Sequence, residues 1–116
     1  MTGKERYHHG DLRNALLDAA GIILEENGLD ALSLRAVAAR AGVSHAAPAH
    51  HFPTLRSLLT ALAASAFERF RLSLRQAQAH AAADLRSQLR AAGDGYVGFA
   101  RANPQAFRLM FSPEPN

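Results

Sequence analysis

The chain lacks cysteine and tryptophan altogether, and only 7% of its 116 residues are aromatic. Without cysteine there is no disulfide framework and no thiolate metal site. With so few aromatics in a composition that is 48% apolar, the core must be built mainly from Ala, Leu and Val. Ala and Leu lose little side-chain entropy on becoming helical, so this composition favours helices. No apolar run approaches the ~18 residues that a membrane span needs. The polar opening from Met1 to Asp11 is not that of a signal peptide, and a soluble cytoplasmic protein is expected. Strand-like alternation, internal repeats and low-complexity tracts are also missing. The length suits one compact domain with a modest core.

Acidic residues are absent from one long stretch. Between Ala31 and Phe67 there is no Asp or Glu, although Arg35, Arg40 and Arg56 lie there with His45, His50 and His51. The acids of the first half (Glu5, Asp11, Asp18, Glu25, Glu26 and Asp30) all precede it. The net charge of +3 says little alone, but this segregation leaves one region able to approach a polyphosphate without repulsion. A solvated basic face fits the same charge pattern.

The order of helices follows from apolar spacing and caps. Asp11 is the expected N-cap of a first helix, in which Leu12, Leu16, Ala19, Ala20 and Ile23 form one stripe. Asn27 and Gly28 tolerate a left-handed backbone and stop it. Ser33 caps a short second helix to about Arg40, with Leu34, Val37, Ala38 and Ala41 inward, and Gly42 interrupts it. Ser44 is the expected cap of a third short helix to about His51, closed by Phe52 and Pro53. Thr54 caps a longer helix to about His80, whose apolar face holds Leu55, Leu58, Leu59, Leu62, Ala66, Phe67 and Phe70. Asp84 caps the next, with Leu85, Leu89, Ala92, Tyr96 and Phe99 as its stripe. Gly93, Gly95 and Gly98 imply a bend or a close approach there. Asn103 and Pro104 end that helix and start a last one containing Phe107, Leu109, Met110 and Phe111. The tail from Ser112 to Asn116 cannot continue it. The expected fold class is all-α: a three-helix helix-turn-helix domain over 1–53, then a linking helix and a partial helical ligand-binding bundle over 54–116.

The segment from Ser33 to Phe52 carries the functional signal. A helix-turn-helix needs two short helices crossing at a wide angle around a tight turn. Gly42 supplies the backbone freedom for that turn, Ala38 is small enough for close approach, and Val43 can plug the gap. The helix opened by Ser44 would enter the major groove with its N-terminal residues facing base edges. Its short outward side chains (Ala46, Ala47, Pro48 and Ala49) permit close approach. An ordinary αα-hairpin is compatible with the same spacing.

Ala41-Gly42-Val43-Ser44, followed by His51-Phe52 and Leu58, resembles the signature of TetR/AcrR-type bacterial transcriptional regulators. The opening Tyr7 to Arg13 and the run Ser44 to Pro48 look like one subgroup, that with a Trp-His-Gly segment in its C-terminal domain. Tyr96 to Phe99 and Asn103 to Phe111 resemble the start of that subgroup's ligand domain. The resemblance implies a sequence-specific DNA-binding repressor, not an enzyme, that needs no cofactor and is released by a small-molecule effector. Its partner would be a pseudo-palindromic duplex operator bound by a homodimer. Effector binding would change the separation of the two recognition helices.

By the same resemblance, His45 and Ala47 match positions that touch bases or nearby phosphates. Pro48 matches an apolar position that can press on a thymine methyl. His50 and His51 match positions near the DNA backbone, Arg35 one that reaches phosphate or a guanine edge, and Arg56 a phosphate contact. Ser33 and Ser44, as caps, place backbone N–H groups where phosphates can bind. Leu89, Tyr96, Phe99, Phe107 and Met110 would form the first wall of an effector pocket, around Leu85 as well, although such residues more often serve as plain core, and truncation would leave them an exposed apolar patch.

The family usually has Tyr where this chain has Ala49 and Lys where it has Leu55, which removes two phosphate contacts. Leu55 is expected on the apolar face of the long helix instead. The chain is also short for the family, and without tryptophan it cannot contain the subgroup's Trp-His-Gly segment, so a C-terminally truncated form is expected. Missing dimer helices leave an alternative: a truncated helical interaction protein, or a remnant without regulatory activity. A metal site is the weaker rival. His8-His9 and His50-His51 are adjacent pairs whose side chains point ~100° apart on a helix, and neither has the i, i+4 spacing of a helical zinc motif. No Ser, His and acid arrangement of a hydrolase is legible.

Overall fold

The computed structural model describes residues 9–112, and side-chain environments from Asp11 onward. The expectations about Met1 to His8, about the His8-His9 pair and about the tail beyond Ser112 lie outside the described residues. The fold is all-α. Its helices are α1 (His9–Asn27), α2 (Leu34–Ala41), α3 (Leu55–Ala79), α4 (Leu85–Ala102) and α5 (Pro104–Met110), with 3-10 turns at Leu29–Ala31 and Ala47–His50. No strand occurs among the described residues.

The chain divides into two compact units, with the break at Leu62–Ala63 inside α3. The sequence division at 53/54 assigns all of α3 to the second part. In the structure the first two turns of α3 belong to the first unit, because Leu58 and Leu62 are buried there.

In the first unit α1 buries Leu16, Ala19, Ala20 and Ile23 of the expected stripe, while Leu12 at its start is half-buried. Leu17 and Leu24 are buried beside it, so the apolar face is wider than one stripe, as a helix enclosed by several neighbours requires. Asp11 is not the N-cap. The helix starts earlier, at His9, and Asp11 sits in its first turn, where a carboxylate still faces the positive end of the helix dipole. The chain leaves α1 through Gly28, whose φ of 90° and ψ of 171° suit glycine alone.

In the second unit α3 packs against α4, and here the structure departs from the expected stripe. Leu85 and Leu89 are 74% and 63% exposed, and Tyr96 is 46% exposed, while Ala91 and Phe99 are buried. Beside Phe99 and Tyr96, whose rings meet Phe70 of α3, the closest approach to α3 is made at a small residue. A Cβ placed on Gly95 would lie 3.3 Å from the Leu74 Cα and 3.3 Å from the Ala77 Cβ. That approach leaves no room for a large side chain at this point, and Leu85 and Leu89 fall on an exposed face. Gln88 closes the α3–α4 corner: its Nε2 donates to the Gln78 carbonyl at 3.0 Å and to the Ala82 carbonyl at 2.9 Å. Asp84 caps α4 as expected, accepting from the Ser87 N–H at 3.0 Å and the Ser87 hydroxyl at 2.8 Å. These bonds hold its carboxyl below the usual aspartate value.

Candidate nucleic-acid interface

The local chain from Ser33 to Phe52 is ordered by caps. Ser33 has an extended backbone, and its Oγ accepts from the Ala36 N–H at 3.0 Å. This satisfies one of the donors that every helix start leaves unpaired. Gly42 ends α2 in the left-handed region, with φ 75° and ψ 30°. Its N–H donates to the Ala39 carbonyl at 3.2 Å, and the Val43 N–H donates to the Ala38 carbonyl at 3.0 Å. This pair of bonds is the Schellman closure of a helix, and it turns the chain sharply. Val37 and Ala38 are fully buried beneath the turn.

The reading segment differs from the expected third helix in form. It is a single 3-10 turn, Ala47–His50, preceded by turn residues, with Ala46 at its N-cap and no side-chain cap. Ser44 therefore does not act as a side-chain cap. Pro48 supplies the physical reason. An α-helix begun at Ser44 would bond the Ser44 carbonyl to the N–H of residue 48, and proline has none. The Ala47 N–H takes that carbonyl instead, at 3.1 Å, which is the 3-10 pattern. The Pro48 carbonyl then accepts from both His51 N–H at 3.0 Å and Phe52 N–H at 2.7 Å, which closes the turn.

The expected contact residues fall into three groups. Ser33, Arg35, Ser44, His45, His50 and Arg56 are exposed. Ala47 and His51 are half-buried, and the His51 ring lies 6.3 Å from that of Phe52. Pro48 is buried, one of the most enclosed side chains in the protein. Its ring packs inward, so it offers no surface to a thymine methyl. Ala49 is exposed. Leu55 is exposed at 38%, so it does not join the apolar face of α3 as expected. It lies one residue after Thr54, where Thr54 and Ser57 cap each other: the Ser57 N–H donates to Thr54 Oγ1 at 3.1 Å, and the Thr54 N–H to Ser57 Oγ at 3.1 Å. That reciprocal cap starts α3 without help from Leu55.

Arg13, on α1, was not among the expected contacts. Its guanidinium carbon lies 5.3 Å from the centre of the Phe52 ring, a cation–π distance. Phe52 itself is 2% exposed.

The five residues expected to line an effector pocket are divided. Leu89 and Tyr96 are exposed, Phe107 is half-buried, and Phe99 and Met110 are buried. Phe70 gathers Tyr96, Phe99 and Phe107 around it edge-on, with ring centres 5.5, 5.3 and 6.4 Å away. Such contacts stabilise a core. Phe99 also lines a cleft of about 480 Å³ with Gln76, His80, Gly95 and Gly98.

The profile of the bacterial regulatory proteins of the tetR family matches residues 16–62, the span that holds the core of α1, the helix-turn-helix and the start of α3. The fold and this match define a helix-turn-helix regulator domain of the TetR type over residues 16–62. A protein of unknown function from Rhodococcus sp. RHA1 is similar over 92% of this chain and 57% of its own, with 44% identity and a TM-score of 0.80. A TetR-like transcriptional regulator from Rhodococcus sp. RHA1 has 25% identity and a TM-score of 0.71, over 89% of this chain and 56% of its own. The multidrug binding protein EbrR, solved in complex with imidazole, has 29% identity and a TM-score of 0.69, over 91% and 56%. The chain thus spans a little over half the length of these solved relatives. No curated protein matches it.

Proposed function

We propose that this chain binds duplex DNA in a sequence-specific manner and regulates transcription in the cytoplasm, as a repressor released by a small molecule. The observation that carries the reading is the turn at Gly42 within the TetR match. It joins a capped helix to an exposed segment, and no Asp or Glu occurs from Ala31 to Phe67. In this reading the Ser44 to His51 segment enters the major groove. His45 and Ala47 face base edges, while Arg35, His50, His51 and Arg56 approach phosphates. Ser33 leaves N–H groups of α2 toward the backbone. A homodimer on a pseudo-palindromic operator would place two such segments about 34 Å apart.

The effector half of the proposal draws on Phe99, Phe107 and Met110 together with the exposed Leu89 and Tyr96. It is supported by the likeness to a multidrug binding protein. The exposed leucines of α4 favour a second reading, an interaction surface in residues 63–112.

A salt titration of binding to a pool of duplexes with inverted repeats tests the DNA reading. Each neutralised phosphate contributes ~0.9 to the slope of log affinity against log salt. A steep slope, with some sequences enriched over others, is expected. Absent or salt-insensitive binding refutes the proposal and leaves the interaction reading. Light scattering of the DNA-bound and free chain reports the stoichiometry.

A further inference from the structure

We infer that Arg13 is a further phosphate-contact residue of the interface, presented by the ring of Phe52; the inference rests on the DNA-binding reading above. The helix that carries it makes Arg13 conspicuous. α1 contains four carboxylates, Asp11, Asp18, Glu25 and Glu26, and Arg13 is its one Arg or Lys. None of those acids stands three or four residues from Arg13, the spacing at which helical side chains meet. Those positions hold His9, Gly10, Leu16 and Leu17.

The side chain is directed elsewhere. Its guanidinium lies over the Phe52 ring, 5.3 Å from the centre. Phe52 is bonded through its N–H to the Pro48 carbonyl at 2.7 Å, so it is part of the closed turn that ends the reading segment. The neighbouring His51 ring is 6.3 Å from it. The stack therefore carries a permanent cation from the acidic helix to the edge of the acid-free segment.

Arginine suits this role because a planar guanidinium can lie on an aromatic face and still direct N–H groups outward to a phosphate. Arg13 itself is exposed. Arg40 differs. It is engaged by Glu26, with Nη1 3.2 Å from the carboxylate oxygen, and among the described residues Arg13 has no such carboxylate.

The test compares the full chain with Arg13→Gln and Arg13→Lys on the same duplex pool, with affinity measured across salt concentrations and folding followed by circular dichroism. Gln preserves helix propensity and removes the charge; Lys keeps the charge and loses the planar stack. The expected result is a slope about 0.9 shallower for Arg13→Gln, with several-fold weaker binding to every sequence tested, and the parent slope for Arg13→Lys. An unchanged slope in Arg13→Gln overturns the inference while the DNA reading stands. Equal loss of slope in both variants also overturns it, because the residue then acts by holding Phe52 and not by its charge. If the parent chain shows no salt-dependent binding, the DNA reading fails and this inference with it.

Discussion

Gly42 holds a backbone conformation that a side chain opposes, with φ at 75°. A Cβ there would meet nothing within 4 Å, so the cost of substitution is conformational and not steric crowding. Gly42→Ala is expected to destabilise the first unit by roughly 1–2 kcal/mol, and Gly42→Asn by less, since Asn tolerates this region. Urea denaturation of the two variants measures the difference. Equal stability of the parent and Gly42→Ala would mean that the turn takes another form in solution. Pro48 shows a residue acting through what it lacks. Its missing N–H converts an expected α-helix into a 3-10 turn, and its buried ring removes it from the contact surface. The sequence contains that information, but the step requires knowing which carbonyl the missing donor would have served.

Among the elements, α4 shows how packing overrides spacing. The stripe Leu85, Leu89, Ala92, Tyr96 and Phe99 is legible in the sequence, yet only its Tyr96–Phe99 end meets Phe70 of α3, Gly95 makes the closest approach, and Leu85 and Leu89 are exposed. Apolar periodicity identifies a helix and its candidate faces. It does not say which face a neighbour at close range can accept. Gly95→Ala is expected to lower the melting temperature, because the Leu74 backbone at 3.3 Å cannot retreat as a flexible side chain would. Gly93→Ala meets nothing within 4 Å and is expected to stabilise by roughly 0.5–1 kcal/mol through helix propensity. A rise with both substitutions would show that the two helices stand further apart.

The cap at Asp84 gives α4 a pH dependence. Bonds from Ser87 hold its carboxyl below the ordinary aspartate value of 3.8, so the unfolded chain binds the proton more readily than the folded one. The cap's contribution is complete above that value and fades as pH falls through the lower folded one. The melting-temperature gap between the parent and Asp84→Ala is therefore expected to be widest near neutrality and to narrow in acid. A gap independent of pH would show that the carboxylate charge plays no part.

Across the whole chain, charge and apolar exposure are distributed unevenly. The six bases and six acids of residues 1–62 cancel, so the net +3 is carried by residues 63–116. The DNA binding proposed for the first unit therefore rests on segregation of charge within it, not on net charge. The second unit exposes Leu85 and Leu89 on one helix and leaves Phe111 55% exposed. Exposed apolar residues at this density mark a surface prone to association. Replacing both leucines with lysine is expected to raise solubility and lower binding of a hydrophobic dye, with the melting temperature little changed. No change in either readout would mean that this face is already covered in solution.

The sequence by itself determined the all-α class, the helix order, the caps at Ser33, Thr54 and Asp84, and the turn at Gly42. These depend on neighbours a few residues apart, and local chemistry is written directly in the chain. It also located the candidate DNA reader between Ser33 and Phe52. Tertiary structure decided the rest: the burial of Pro48, the exposure of Leu55, the outward leucines of α4 and the stack of Arg13 on Phe52. Each of these depends on how closely elements distant in sequence approach one another, which no short-range pattern specifies.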